Sequence, residues 1–164
     1  MHGLISRGAR VPYYLRVDPM SGTILVRDIM RKNVKTVRTD DTALDAVRKM
    51  NKFYITSVVV TNGGRPVGII TSRNILEMVV EPRIDPATMY AKEIMSSPLI
   101  SVDPYTAVDE TAKIMAERGI KKLPVVEDGR VVGIVSTSDI ISTSPAQLGL
   151  MEELLSYSEI NASQ

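Results

Sequence analysis

The sequence predicts an α+β fold. Two copies of one β-α-β-β-α unit pack face to face on a pseudo-twofold axis, with an irregular N-terminal arm and a C-terminal helix. Three observations predict it. First, the chain repeats itself without gaps at an offset of 65 residues, with a dozen identities in about fifty aligned positions. Ile29-Met30 returns as Ile94-Met95, Met50 as Met115, Ile55 as Ile120, and Val67-Gly68-Ile69 as Val132-Gly133-Ile134. Second, within each copy β-branched runs alternate with apolar residues at helical spacing. Third, a unit of this size buries too little surface to be stable alone, so two copies should share one core.

Residues 1–25 read as an irregular arm, broken by Gly3, Gly8, Pro12, Pro19 and Gly22. Tyr13-Tyr14-Leu15 is its candidate anchor. The first copy spans 26–82. Val26 to Met30 is a helical turn and Val34 to Val37 a strand. Asp41 or Thr42 caps a helix with Leu44, Val47 and Met50 on its apolar face. Val58-Val59-Val60 forms a buried strand, too short and too β-branched for a helix. Asn62-Gly63-Gly64-Arg65 is a hairpin turn into the strand Val67 to Ile70. Thr71 or Ser72 then caps a second helix through Ile75, Leu76 and Val79. Pro82 and Pro86 end that helix, and a linker over 83–90 leads into the second copy, 91–143. The last segment, 144–164, carries Leu148, Met151, Leu154 and Leu155 as an apolar stripe and reads as an amphipathic helix on its own chain or a second subunit.

Composition removes several function classes. There is no cysteine, and the single histidine is His2, so a thiolate site, a histidine-based metal site and a histidine-dependent triad all lack their residues. No Gly-rich loop ends in Lys-Ser/Thr, and Asp40-Asp41 and Glu152-Glu153 read as a helix start and a solvated face. The expectation is a non-enzyme with no catalytic residues, no metal and no required cofactor. A net charge of +1 gives no general case for nucleic acid. No apolar run approaches the length that spans a bilayer, and no signal peptide is visible, so a cytoplasmic protein without a membrane partner is expected.

The candidate chemistry lies in Gly133-Ile134-Val135-Ser136-Thr137-Ser138-Asp139, a buried strand ending in a helix start. Ser136 is the candidate N-cap, and Asp139 projects from the first turn, where it can accept hydrogen bonds from a diol or simply complement the helix dipole. The first copy offers Gly68, Thr71 and Asn74 at the same offsets.

These features together resemble the CBS domain, and the tandem resembles a Bateman module of the stand-alone prokaryotic kind. The features are Ile-Met before the first strand, Met-x4-Ile, Leu123-Pro124-Val125-Val126, the Asp-Gly-Arg hairpin and Gly-Ile-Val-Ser-x-x-Asp, over roughly residues 26–141. The resemblance implies a regulatory module binding an adenosine-containing ligand (AMP, ADP, ATP or S-adenosylmethionine) in clefts between the copies. It assigns the ribose to Gly133, Ser136 and Asp139, with the glycine keeping the wall low for a flat ring. Gly68, Thr71 and Asn74 then form a second cleft, weaker because Asn74 offers a neutral acceptor or serves only as a helix start. Lys121 and Lys122 are phosphate candidates, one of which should face a cleft because strand neighbours alternate, or else a solvated surface pair. Leu99, Ile100 and Ser101, on the first strand of the second copy, are candidates for the adenine wall, and Arg73 is a further basic candidate. Binding would shift copy or dimer geometry for a regulated protein to read, and a homodimer is expected. The rival readings are a dimerisation module with empty clefts, and a nucleic-acid accessory acting through Arg7, Arg10 and Arg16.

Overall fold

The structure is a computed structural model that describes residues 23–143. Residues 1–22 of the expected arm over 1–25, and the expected helix over 144–164, lie outside the described residues. The first copy holds α1 (Val26–Ile29), β1 (Thr36–Arg38), α2 (Ala43–Phe53), β2 (Ser57–Asn62), β3 (Arg65–Thr71) and α3 (Ser72–Ile75), which runs on into a π-helical turn over Leu76–Val80. The second holds α4 (Ala91–Ile94), α5 (Val108–Arg118), β4 (Lys122–Glu127), β5 (Arg130–Ser136) and α6 (Thr137–Ile141).

Local chemistry explains the boundaries. Thr42 caps α2 reciprocally with Asp45: its Oγ1 accepts from Asp45 N, and its own N–H donates to Asp45 Oδ2 at 2.9 Å. The Met-x4-Ile spacing is the helix stop. Ile55 N donates to Met50 O and Ile120 N to Met115 O, each at 3.0 Å, closing α2 and α5 five residues back. That closure needs a left-handed residue before the isoleucine. Gly119 supplies it at φ 63° and Tyr54 at φ 53°. Gly63 and Gly64, at φ 56° and 80°, turn β2 into β3.

Two differences from the sequence expectation have clear causes. The buried face of α2 is Ala43, Ala46 and Met50, while Leu44 and Val47 are half-buried at its edge. The first copy forms a sheet of order β1-β2-β3, but the second keeps only β4-β5. Leu99, Ile100 and Ser101 are therefore not on a strand, and Val102 alone bridges to Val125. Prolines account for this. In the first copy Val59 N donates to Lys35 O at 3.1 Å and Thr39 N to Thr61 O at 3.0 Å. The positions 65 residues on that should donate are Pro124 and Pro104, which have no N–H.

The expected single core is two clusters, each completed by a short helix beginning one of the copies. Val37, Ala43, Ala46, Met50, Val58, Val60, Ile70 and Val79 enclose Ala91 and Ile94 of α4. Val102, Val108, Met115, Leu123, Val125 and Val135 enclose Val26 and Ile29 of α1 and Met30 just after it. Thus α1 serves the second copy's core: Val26 N donates to Thr106 O and Arg27 N to Pro104 O, both at 2.9 Å. Equivalently, Ala91 N donates to Asp41 O at 2.7 Å. Each short helix is closed by an acid at its third position, Asp28 accepting from Leu25 N at 3.0 Å and Glu93 from Tyr90 N at 2.6 Å.

Candidate functional site

The exchange of α1 and α4 builds two pseudo-equivalent clefts. After α1 the chain runs antiparallel to β5, with Arg31 N donating to Ile134 O at 2.9 Å and Ile134 N to Arg31 O at 3.0 Å. After α4, Ser96 and Ile69 make the same pair against β3, at 2.9 and 3.2 Å. A cleft of about 550 Å³ opens between the Arg31–Lys35 segment and the β5–α6 junction, and contains Ser136 and Asp139. A second, of about 520 Å³, opens between Ser96–Ile100 and the β3–α3 junction, and contains Thr71 and Asn74.

In the first cleft Ser136 is the N-cap of α6, and Asp139 completes a capping box. Asp139 Oδ2 accepts from Ser136 N at 2.8 Å and from Ser136 Oγ at 2.6 Å, while Asp139 N donates back to Ser136 Oγ at 3.2 Å. The cap therefore occupies one carboxylate oxygen and aims the other into the cleft. That second oxygen, Oδ1, accepts from Arg31 Nε at 3.0 Å. The Asp139 side chain is 11% exposed and that of Arg31 71%, so the carboxylate is set in the floor and the guanidinium lies over it from solvent. The guanidinium end of the pair stays in solvent, so a ligand hydroxyl can take its place on Oδ1.

The second cleft repeats this geometry with different chemistry. Asn74 Oδ1 accepts from Thr71 N at 2.8 Å and Thr71 Oγ1 at 2.7 Å, and Asn74 Nδ2 donates to Ser96 Oγ at 3.1 Å. The amide oxygen is thus committed to the cap, and the group facing the cleft is an NH₂ donor. Where the first cleft presents a carboxylate under an arginine, the second presents an amide beside a serine.

The glycines have a different role from the one expected. Gly133 and Gly68 are buried and border neither cleft. A Cβ on Gly68 would lie 2.5 Å from Met95 Sδ and 2.9 Å from the Ser96 carbonyl, and one on Gly133 would lie 2.8 Å from Met30 Cγ. Each glycine admits the methionine of a short helix against its strand, which is why Ile-Met and Gly-Ile recur together.

The lysine expectation is also corrected. Both Lys121 and Lys122 border both clefts, because β4 and its side-chain alternation begin only at Lys122. Lys121 is exposed. Lys122 is half-buried, and its ammonium donates to Thr56 Oγ1 between the clefts. Burial first, then the nearby Arg31 charge, hold its pKa below the ordinary lysine value, with Asp139 opposing. Of the adenine-wall candidates, Ile100 borders the Asn74 cleft, and Leu99 and Ser101 border neither. Val34 and Lys35, their counterparts, border the Asp139 cleft. Arg73 borders the Asn74 cleft, but its Nε is paired with Glu77 Oε1 at 2.6 Å.

Sequence reasoning missed Arg31 and the Phe53-Tyr54 lip of the first cleft, where Tyr54 is 96% exposed. The signal for Arg31 was its place directly after Ile29-Met30, whose counterpart Ser96 pairs with Asn74. Among the described residues no three His, Cys, Asp or Glu side chains gather to hold a metal ion, and no helix is long and apolar enough to cross a membrane.

Comparison with known proteins agrees with this architecture. The CBS-domain family model matches residues 26–81 and 91–145, and the chain belongs to that family as a tandem pair, a regulatory class of module. It is similar to the uncharacterized protein MK0525 of Methanopyrus kandleri, at 36% identity over 133 residues, covering 80% of this chain and 68% of the relative. It is similar in structure to a hexameric CBS-CP12 protein from bloom-forming cyanobacteria, with a TM-score of 0.71 and 31% identity, covering 88% of this chain and 83% of that one. The CBS pair of protein MJ0100, solved in complex with 5′-methylthioadenosine and S-adenosyl-L-methionine, aligns with a TM-score of 0.65 and 32% identity, covering 72% of this chain and 93% of that one.

Proposed function

We propose that the chain is a sensor that binds an adenosine-containing ligand in the clefts between its two copies, with the Asp139 cleft as the main site. The observation that carries this reading is the Asp139 carboxylate. Its Oδ2 is fixed by Ser136, and among the described residues its Oδ1 is held only by a solvent-facing arginine. A vicinal diol carries two donors and fits such an acceptor; ribose hydroxyls can take the place of Arg31. Among the described residues, Arg31, Lys32, Lys35, Lys121 and Lys122 border this cleft against the single carboxylate of Asp139. That balance supports AMP, ADP or ATP over the positively charged S-adenosylmethionine. The displaced Arg31 is then free to meet a phosphate.

Ligand bound across the Arg31 segment and the β5–α6 junction ties together parts of both copies. The change in their relative setting is the signal that a regulated partner reads. The module works in the cytoplasm, where such ligands are found, and as a homodimer. Leu76 and Val80, 59% and 57% exposed on the π-helical turn, offer an apolar face for the other chain of the dimer. If the clefts take no ligand, that face leaves dimerisation as the protein's output.

A thermal-shift series with AMP, ADP, ATP, S-adenosylmethionine and NAD tests the reading. A ligand at 100 times its Kd adds about 2.7 kcal/mol of stability. The expected result is a rise in Tm with at least one adenine nucleotide, largely lost in Asp139→Ala. The absence of a shift with every adenosyl compound would overturn it.

A further inference from the structure

We propose, resting on that reading of the clefts, that Lys122 is a cation shared by the two clefts and makes phosphorylated ligands bind them with negative cooperativity. The pseudo-symmetry breaks at this position. The counterpart of Lys122 is Ser57, which is 7% exposed and carries no charge. One half-buried ammonium therefore serves two clefts, and it is parked on Thr56 Oγ1, a residue that also borders both. Arg73 in the Asn74 cleft is engaged by Glu77, and Lys121 is exposed and hydrated.

The electrostatics follow from this placement. The charges of Arg31 and Asp139 already act on the Lys122 ammonium, so it lies within the field of the first cleft as well as at the edge of the second. A phosphate in the Asp139 cleft attracts the ammonium off Thr56 and toward itself. A phosphate arriving in the Asn74 cleft then meets no half-buried cation, and the ammonium it would have drawn on is already neutralised by the first phosphate. A neutral nucleoside makes no demand on Lys122 and carries no such penalty. The coupling is a property of the phosphate and not of the adenosine.

Isothermal titration calorimetry on the full chain with AMP tests this. In Asp139→Ala only the Asn74 cleft remains, and it is expected to bind AMP about fivefold or more tightly than the second step of the unsubstituted protein, the low end of ordinary coupling. Adding Lys122→Met to both backgrounds is expected to bring the two affinities within about twofold, and adenosine is expected to show no difference between the unsubstituted protein and Asp139→Ala. If Lys122→Met does not fold, Lys122→Gln replaces it. A single AMP step in the unsubstituted protein with one retained step in Asp139→Ala also supports the proposal, as the limit of exclusion. Equal affinity in the two backgrounds, or a difference that persists without Lys122, overturns it. If AMP binds the unsubstituted protein once and Asp139→Ala not at all, the Asn74 cleft takes no nucleotide and the coupling fails while the sensor reading stands. If AMP, ADP and ATP all fail to bind, both fall.

Discussion

Asp139 and Asn74 differ by one oxygen for one NH₂, and that exchange sets what each cleft can recognise. In both, the oxygen nearer the cap accepts from a residue three positions earlier, so the remaining group decides. Asp139→Asn is expected to weaken adenosyl binding by about twofold to thirtyfold, since a hydrogen bond to a charged group contributes about 1.5–3 kcal/mol against about 1 for a neutral one. Asn74→Asp is expected to strengthen binding at the second cleft, and calorimetry with each variant reads both changes. The glycines give a second test. Gly68→Ala should lower stability by about 1–3 kcal/mol, as overpacking does. Gly133→Ala should cost less, because its Cβ meets only the flexible Met30 side chain and not a backbone carbonyl. Denaturant titration separates the two. For Lys122 the sign is fixed by its lowered pKa. Between that value and the ordinary 10.5, the unfolded chain binds more protons than the folded one, so stability rises with pH across that window. Stability of Lys122→Met should lack that rise when the two proteins are compared at pH points spanning the window.

At the scale of elements, what the sequence made legible was what depends on near neighbours. The cap of α6 by Ser136 and Asp139 needs residues three apart, and the Gly63-Gly64 hairpin needs two. Both are visible in any short window. The Arg31–Asp139 pair joins residues 108 apart and exists only because α1 leaves its own copy to complete the other core. No local pattern contains it. The second copy's missing strand sits between these cases. Pro104 and Pro124 were in plain view, but their effect needs the parallel register in which Val59 and Thr39 donate. That register predicts that Pro124→Val, which returns an N–H opposite Ile100 O, gives an amide at 124 slowed in hydrogen exchange to the level of the amide at 59. An unprotected amide there would remove the proline explanation.

At the scale of the whole molecule, the exchange of short helices makes the pair one cooperative object. Ile29 and Ile94 are 4% and 0% exposed, each in the cluster named for its host copy. Ile29→Ala is expected to cost about 2–5 kcal/mol, as for a buried large-to-small change, and to lower the Tm in a single transition. The same connectivity places both clefts at seams between the copies, so a ligand there reports on their relative setting. The seam was implied by the duplication, but which segments form it was not. The adenine-wall choice of Leu99 to Ser101 names the stretch after α4, which faces Asn74, whereas Val34 and Lys35 after α1 face Asp139.

The central claim is that ribose replaces Arg31 on Asp139. A crystal structure of the protein with AMP tests it most directly. Ribose hydroxyls are expected on Asp139 Oδ1, with the Asp139–Ser136 cap intact and the Arg31 guanidinium turned away toward the phosphate. AMP bound elsewhere, or an Arg31–Asp139 pair undisturbed at saturating nucleotide, would contradict it.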